Sequence, residues 1–332
     1  MSSPILEVRD LVVEYGAGRD MVRAVDGVNI DVQPGEFLGL VGESGCGKST
    51  LLFAIGRLLS EPAEIVSGDV LFKGTNLVYL KEKQLRHLRW RGFSVVMQSA
   101  MNALNPVLTV GAQMADAIEA HERMPKAAMK RRSAELLQMV GIDPIHLSSY
   151  PHQLSGGMRQ RAMIAMALVF TPDLIMMDEP TSALDVVAQR SLMREIKTLQ
   201  EELHFATIFV THDMALVRQY ADRLAIMYAG QIVEHASTNE IFDDPKHPYT
   251  RGLLHAYPSL FGPKEELTGI PGRPPDLRTP PTGCRFHPRC PYVMEICPKE
   301  DVPLYSPRGD DLVRCFLFSN EVMTNERASA PL

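Results

Sequence analysis

The chain lacks features that define several whole classes of protein. No apolar run among its 332 residues reaches the roughly eighteen needed to cross a bilayer, so we predict no membrane-spanning helix. Its first residues show no basic segment followed by an apolar one, so we expect no export signal. The formal net charge of -6 argues against nucleic acid as the main partner. The composition, 22% charged and 45% hydrophobic, predicts a globular protein with a cytoplasmic address.

A glycine-rich segment at residues 42–49 carries the strongest chemical signal. Gly42, four further residues and then Gly47-Lys48-Ser49 give the spacing of a phosphate-binding loop. In such a loop, backbone N–H groups surround nucleotide phosphates, the lysine reaches the terminal phosphates and the serine hydroxyl ligates Mg²⁺. A strand-like run precedes it and leucines at helical spacing follow it, as this motif requires. We predict that the nucleotide is bound here by Gly42, Ser44, Gly45, Gly47, Lys48, Ser49 and Thr50.

Two further segments complete a hydrolytic set. An apolar strand ends in Asp178 and Glu179, so Asp178 is expected in the Mg²⁺ shell, and Glu179 is expected to polarise the attacking water. Ser155, Gly156 and Gly157 stand at the start of a helix, where free N–H groups, a hydroxyl and the helix dipole favour an anion. Two phosphate-binding surfaces in one chain suggest a dimer in which each ATP lies between the loop of one chain and the helix start of the other.

These motifs, in this order over residues 6 to about 243, closely resemble the ATP-hydrolysing subunits of ATP-binding cassette (ABC) transporters. The resemblance implies ATP and Mg²⁺ as cofactors. It implies that Gln98 senses Mg²⁺ and water and that His212 contacts the γ-phosphate. It also assigns adenine stacking to Tyr15, although a strand-surface tyrosine is the alternative. Asp185, at the end of Ser182-Ala-Leu-Asp185, matches the loop that communicates across the dimer. The implied catalytic residues are Glu179, His212 and Gln98, and the implied Mg²⁺ ligands are Ser49, Gln98 and Asp178.

The pattern of elements predicts an α/β fold. Alternating residues in segment 6–40 favour short antiparallel strands, while runs at 174–177, 207–210 and 224–228 alternate with helices and favour a parallel sheet. We predict an ABC-type nucleotide-binding domain over 1–243, that is, a P-loop NTPase core with an antiparallel β subdomain. A helical insertion is predicted at about 99–170. Residues 244–332 are predicted to form a small, irregular, cysteine-rich extension with a mobile tail from about residue 320.

Two short segments narrow the resemblance to one branch of the family. Asn102-Ala-Leu-Asn105-Pro106 resembles a segment of peptide and nickel importer ATPases, although Ser99-Ala100 stands where many relatives have Asp-Pro. Lys246-His247-Pro248-Tyr249-Thr250 resembles the element that opens the C-terminal extension of that branch. In physical terms, Pro248 suits a first helical position and His247 a cap.

Four cysteines, Cys284, Cys290, Cys297 and Cys315, follow in the extension. A cytosolic address disfavours disulfides, and the gaps between the cysteines exceed those of ordinary zinc knuckles, although zinc remains an alternative. Four thiolates suit an iron–sulfur cluster, and the resemblance implies [4Fe–4S]. The neighbouring Arg285, Arg289 and Arg314 could offset the negative charge of such a cluster. We expect a structural role for it.

The resemblance implies a subunit that couples ATP hydrolysis to solute import, with di- or oligopeptides as the leading cargo and oligosaccharides or nickel as alternatives. Implied partners are two transmembrane permeases, a second, homologous ATPase forming a heterodimer, and an extracytoplasmic substrate-binding protein. No nucleic-acid partner is expected. The expected location is peripheral, at the cytoplasmic face of the cell membrane. Two other classes are weaker alternatives: a soluble iron–sulfur ABC protein acting on ribosomes, and a redox sensor built on a cassette.

Overall fold

The computed structural model describes residues 3–16, 18, 21–98, 103–182, 184–256, 269–309 and 311–319. The predictions for Ser99, Ala100, Asn102 and the tail from residue 320 fall outside this range. The strands are β1 (Leu6–Tyr15), β2 (Val22–Val32), β3 (Phe37–Val41), β4 (Ala63–Phe72), β5 (Thr75–Asn76), β6 (Phe93–Val96), β7 (Leu174–Asp178), β8 (Ala206–Thr211), β9 (Arg223–Tyr228), β10 (Gln231–Ser237) and β11 (Leu312–Val313). The helices are α1 (Lys48–Ile55), α2 (Glu82–Leu88), α3 (Val110–Glu119), α4 (Lys126–Met139), α5 (Gly156–Ala167), α6 (Val186–Leu203), α7 (Met214–Tyr220), α8 (Thr238–Asp243) and α9 (Pro248–His255).

A seven-stranded sheet in the order β11-β10-β9-β3-β8-β7-β6 forms the centre of the molecule. β3 pairs in parallel with both β8 and β9, and β7 pairs in parallel with β8 and β6. All five residues of β3 are buried because both faces of the sheet are covered. Leu38 and Leu40 face one hydrophobic core, whereas Phe37 and Val41 face the other. The predicted parallel sheet is confirmed.

A second sheet, in the order β2-β1-β4-β5, covers one face of the first. β1 pairs antiparallel with β2 and with β4, and irregularities near Leu11 and Val13 bend it. Its apolar residues Leu6, Val8, Leu11 and Val13 are buried, which is the alternation seen in the sequence. The predicted antiparallel strands are therefore present, and β4 adds a third long strand that the sequence pattern did not reveal.

The segment between β6 and β7 is helical in its described part. α3 begins at an N-cap, Thr109, whose Oγ1 accepts a hydrogen bond from Ala112 N at 3.2 Å. α4 follows Pro125, and α5 follows the N-cap Ser155. Buried residues of these helices, such as Met114, Leu137 and Ala162, join the same core as Phe37 and Val41. The insertion is thus packed on the face of the central sheet opposite the antiparallel strands.

The C-terminal extension is joined to the cassette by both its sheet and its core. β11 pairs with β10 through Glu234–Val313 and His235–Leu312, so the extension contributes the edge strand of the central sheet. Tyr249 and Phe286 pack against Tyr228 of β9, with ring centroids 4.6 and 5.2 Å from that of Tyr228. In its described residues the extension has few regular elements, and it shares the cassette's hydrophobic core. Among the described helices, none is long and apolar enough to cross a membrane.

Candidate functional site

The phosphate loop connects β3 to α1, as the sequence predicts. Lys48 Nζ donates hydrogen bonds to Gly42 O at 2.8 Å and Glu43 O at 2.9 Å, so its ammonium group lies across the mouth of the loop. A Cβ at Gly42 would stand 2.1 Å from Met227 O, and Gly47 has a φ of +106°. Glycine is therefore required at both positions, at the first by space and at the second by backbone conformation.

The loop meets the end of β7 at the predicted Mg²⁺ position. Ser49 Oγ donates a hydrogen bond to Asp178 Oδ1 at 3.0 Å. Burial raises the pKa of Asp178, and the hydrogen bond from Ser49 partly opposes that shift. A hydroxyl and a buried carboxylate in contact form an oxygen donor set that suits Mg²⁺. These two residues would hold the ion, which would neutralise charge on the nucleotide phosphates when bound.

Glu179 is hydrogen-bonded to both of the other predicted catalytic residues. Its Oε2 accepts from Gln98 Nε2 at 2.7 Å, and its Oε1 lies 3.2 Å from His212 Nδ1. Glu179 has a φ of +43°, a left-handed conformation that costs energy in a residue with a Cβ. Its N–H donates to Val210 O at 2.9 Å, which holds this turn against β8. The carboxylate is thus aimed by a strained backbone and two polar neighbours, an arrangement suited to orienting a water molecule.

Tyr15 lies beside the first turn of α1. Its Oη is 3.1 Å from Thr50 Oγ1, two residues after Lys48. The tyrosine is therefore adjacent to the nucleotide loop, where the resemblance places the adenine-stacking aromatic. Stacking itself stays a prediction.

The second predicted anion site is separate from the first within this chain. Ser155 caps α5, its Oγ accepting from Met158 N at 3.2 Å, and a Cβ added at Gly157 would meet nothing within 4 Å. The two residues line a cavity of about 260 Å³ together with Gly141, Arg161 and residues of α6. Asp185 caps α6 by accepting hydrogen bonds from Val187 N at 3.0 Å and Ala188 N at 2.9 Å. Its neighbour Ala183 lies outside the described residues.

Two of the four cysteines of the extension are in direct contact, since Cys284 N donates a hydrogen bond to Cys297 O at 2.7 Å. Burial raises the pKa of Cys315 to about 12 and that of Cys284 to about 11, and the other thiols contribute to both shifts. Backbone N–H groups of Tyr292 and Met294 point to the sulfurs of Cys290 and Cys297, each at 3.4 Å. Across the described part of the chain, however, no group of three or more potential ligands has the arrangement of a metal-ion site. The donor set is all thiol, which suits iron or zinc chemically.

The arginines beside the cysteines have partners that the sequence did not suggest. Arg285 pairs with Asp26 at 2.5 Å, and Arg289 pairs with Glu43 at 2.7 Å. Arg314 donates to the main chain, at Val302 O over 2.9 Å and at Ile232 O over 3.4 Å. Their guanidinium groups therefore bind the cassette and the extension's own backbone. Their predicted role in offsetting the charge of a cluster stays a prediction. Neighbouring positions in the sequence gave no signal of these contacts, because the partners of Arg285 and Arg289 are 259 and 246 residues away.

Comparisons with known proteins agree with this geometry. The ABC transporter family profile matches residues 25–182, and the profile of the oligopeptide/dipeptide transporter C-terminal region matches residues 233–297. A probable peptide ABC transporter ATP-binding protein of Sinorhizobium fredii is 44% identical over 323 residues, covering 96% of each chain. The chain belongs to the ABC transporter family. Within it, this chain is an ATPase subunit.

Other relatives give the same result. The dipeptide transport ATP-binding protein DppD of Caldanaerobacter subterraneus is 42% identical and covers 95% of this chain and 98% of its own length. The oligopeptide transport ATP-binding protein OppD of Bacillus subtilis is 43% identical and covers 94% of this chain and 88% of its own length. Among solved structures, a dimeric ATP-binding cassette in a post-hydrolysis state with ADP and Pi superposes with a TM-score of 0.64. That cassette is 29% identical and covers 70% of this chain and 98% of its own.

Proposed function

We propose that this ABC ATPase powers the import of di- or oligopeptides through a membrane transporter. The contact of Glu179 with both Gln98 and His212 is the main support for ATP hydrolysis, because the carboxylate lies between two groups able to sense nucleotide and water. The cargo rests on the relatives, which are described as peptide, dipeptide and oligopeptide transport proteins, and on the matching C-terminal region.

The chemistry follows from the positions of the side chains. Lys48 and the loop N–H groups would bind the phosphates, with Ser49 and Asp178 holding Mg²⁺. Glu179 would orient the attacking water and accept its proton, and His212 would contact the γ-phosphate. Electrostatic positioning of this kind supplies most of the catalysis in phosphoryl transfer.

We further propose that two cassettes close on each nucleotide. The open space at Gly157 and the location of Ser155 in a separate cavity support this arrangement, since no phosphate-loop residue lines that cavity among the described residues. The second ATPase would be a homologue, and two permeases and an extracytoplasmic binding protein would complete a transporter whose ATPases lie at the cytoplasmic face of the membrane.

The four cysteines are proposed to hold a [4Fe–4S] cluster. The all-sulfur donor set and the N–H groups directed at Cys290 and Cys297 support this proposal, because iron–sulfur clusters are held by cysteine thiolates and tuned by hydrogen bonds to the sulfurs. Iron and sulfide should be measured on anaerobically purified chain, with Cys290→Ser and Cys46→Ser compared. Four iron atoms lost in the first variant and kept in the second would support the cluster, whereas zinc without iron would rule it out.

The transport function is tested on the intact complex. We would purify the tagged chain with its membrane partners and determine subunit composition by native mass spectrometry, then measure ATP-dependent uptake of labelled dipeptides into vesicles. Two permeases, a second ATPase and peptide uptake are expected. Association with ribosomes, or uptake of oligosaccharide or nickel in place of peptide, would overturn the proposal.

A further inference from the structure

Glu43, the residue after Gly42 in the phosphate loop, is the contact point between the loop and the extension. Its carboxylate accepts two hydrogen bonds from Arg289, at 2.7 Å from Nη1 to Oε2 and 3.0 Å from Nη2 to Oε1. Its N–H donates to Tyr249 Oη at 2.9 Å, and its carbonyl accepts from Lys48 Nζ at 2.9 Å. One residue thus connects the extension to the lysine that binds the terminal phosphates.

Arg289 is held firmly enough to act as a fixed support. Its side chain is only 6% exposed. Beyond Glu43, its Nε donates to Pro271 O at 2.8 Å, its Nη1 is 3.3 Å from Tyr228 Oη, and its guanidinium carbon lies 5.8 Å from the Tyr228 ring centroid. These contacts come from Tyr228 of β9 and from the extension segment at Pro271. A buried bidentate arginine pair with satisfied donors has a single preferred geometry.

A second arginine supports the same loop from its other side. Arg285 pairs with Asp26 and donates to Ala229 O, in the turn between β9 and β10. The next residue of that turn, Gly230, donates its N–H to Cys46 O at 2.9 Å, within the phosphate loop. The extension therefore reaches the loop at Glu43 directly and at Cys46 through the turn.

We propose that Arg289 is a positioning residue of the nucleotide site, through which the C-terminal extension holds the phosphate loop in its ATP-binding conformation. The main contact is the bidentate pair with Glu43, and Arg285 adds an indirect contact through the 229–230 turn. This assignment goes beyond the transport function and does not depend on what the cysteines hold or which solute is carried.

Two physical effects give the pair its influence. The two parallel hydrogen bonds fix the Glu43 backbone, and that backbone provides the carbonyl that orients Lys48. The guanidinium also compensates a carboxylate that belongs to a loop built to receive phosphates. Without Arg289, Glu43 would be a partly buried, uncompensated negative charge at an anion site, and it would repel the nucleotide.

The test is a set of charge-removal variants of the full-length chain. Arg289→Ala should raise the Kd for MgATP, measured by titration with a fluorescent ATP analogue, about tenfold, the expected size for losing a hydrogen-bonded charge pair. In the assembled transporter the KM for ATP should rise similarly while kcat changes by less than about twofold, because no group that touches the γ-phosphate is removed. Arg289→Lys, which keeps the charge and loses the bidentate geometry, should recover part of the affinity.

The decisive variant adds Glu43→Gln to Arg289→Ala. Removing the uncompensated charge should restore part of the ATP affinity, whereas damage to the fold would be unchanged or made worse by a second substitution. Arg308→Ala, an exposed arginine of the same extension, is the matched control and should bind ATP as the wild type does. An unchanged Kd in Arg289→Ala, or a loss that Glu43→Gln fails to relieve, would overturn the proposal. Peptide transport plays no part in the measurement, so the two proposals fail independently.

Discussion

The nucleotide site and the C-terminal extension are built in opposite ways. The nucleotide site lies at the ends of buried parallel strands, and its polar side chains contact one another over short distances, as Ser49 and Asp178 do. The extension has few regular elements and is held by aromatic packing and buried arginines that reach into the cassette. Substitutions in the nucleotide site should therefore change the rate of ATP hydrolysis. Substitutions in the extension should change the stability of the chain and the affinity of the nucleotide site for ATP.

The largest effect is expected at Glu179. Glu179→Gln removes the proposed base, so ATP hydrolysis in the assembled transporter should fall by about 10²–10⁴-fold. ATP binding and the unfolding midpoint should stay close to those of the wild type, because the amide retains the shape of the side chain. Phosphate release measures the rate of hydrolysis, and thermal unfolding measures the unfolding midpoint. Glu201→Gln, on the exposed face of α6, is the control, and equal rates in the two variants would remove Glu179 from the mechanism.

Phe286→Ala tests how the C-terminal extension contributes to stability. Phe286 is 2% exposed and packs on Tyr228 and Tyr249, so the truncation should lower the free energy of unfolding by about 3–5 kcal/mol. Because those rings belong to the cassette's core, the whole chain should lose stability in one transition. Denaturant unfolding should show this, with the half-exposed Tyr292→Ala as control. A separate early transition, with an unshifted main one, would mean that the extension folds independently.

The junction between the regions should be sensitive to acid. Burial lowers the pKa of His247 to about 3, and its Nδ1 accepts from Tyr249 N at 3.0 Å. The unfolded chain binds a proton near pH 6.5 and the folded chain does not, so this contribution to stability is complete above pH 6.5 and declines as the pH falls towards 3. Between pH 6.5 and 5 the loss is about 2 kcal/mol.

His247→Asn keeps a cap acceptor and removes the titration. At pH 7 the variant should be less stable than the wild type. This difference in the free energy of unfolding should shrink by about 2 kcal/mol at pH 5, as measured by denaturant unfolding at the two pH values. Both proteins retain His235, so its contribution cancels. The control is His152→Asn, at an exposed position. Parallel pH curves for His247→Asn and wild type would show that His247 is not the titrating group.

The smallest effect is expected for a substitution at Gly157. It should lower ATPase activity and leave the stability of the fold unchanged. Since an added Cβ meets nothing within 4 Å, Gly157→Ala should leave stability within about 0.5 kcal/mol of wild type. If a partner cassette's nucleotide occupies this space, ATPase activity in the assembled transporter should fall about tenfold, as expected for a clash costing about 1.4 kcal/mol. Gly269→Ala, with equally open surroundings, is the control. Full activity in Gly157→Ala would exclude a close approach at this helix start.

The sequence predicted those features that depend on neighbours along the chain. The strand before the phosphate loop and the cap at His247 are both present, because each is a pattern within a few residues. The contacts among the predicted catalytic residues followed from the shared edge of parallel strands.

Features set by distant partners could not be predicted in this way. The pairing of Arg289 with Glu43 and of β11 with β10 depends on how the extension folds back over the cassette. The left-handed backbone of Glu179 depends on its hydrogen bond to β8, and a non-glycine residue gives no sign of it in the sequence. The carboxylate partners of Arg285 and Arg289 could not be predicted for the same reason.

The edge strand β11 also has a consequence for how the protein is made. About 75 residues separate the end of β10 from the start of β11, and ribosomes add about 5–20 residues per second. During synthesis, the edge of β10 that later pairs with β11 therefore stays open for roughly ten seconds. Open strand edges bind other strand edges. Protection from aggregation during synthesis thus depends on a segment that leaves the ribosome well after the strand it covers.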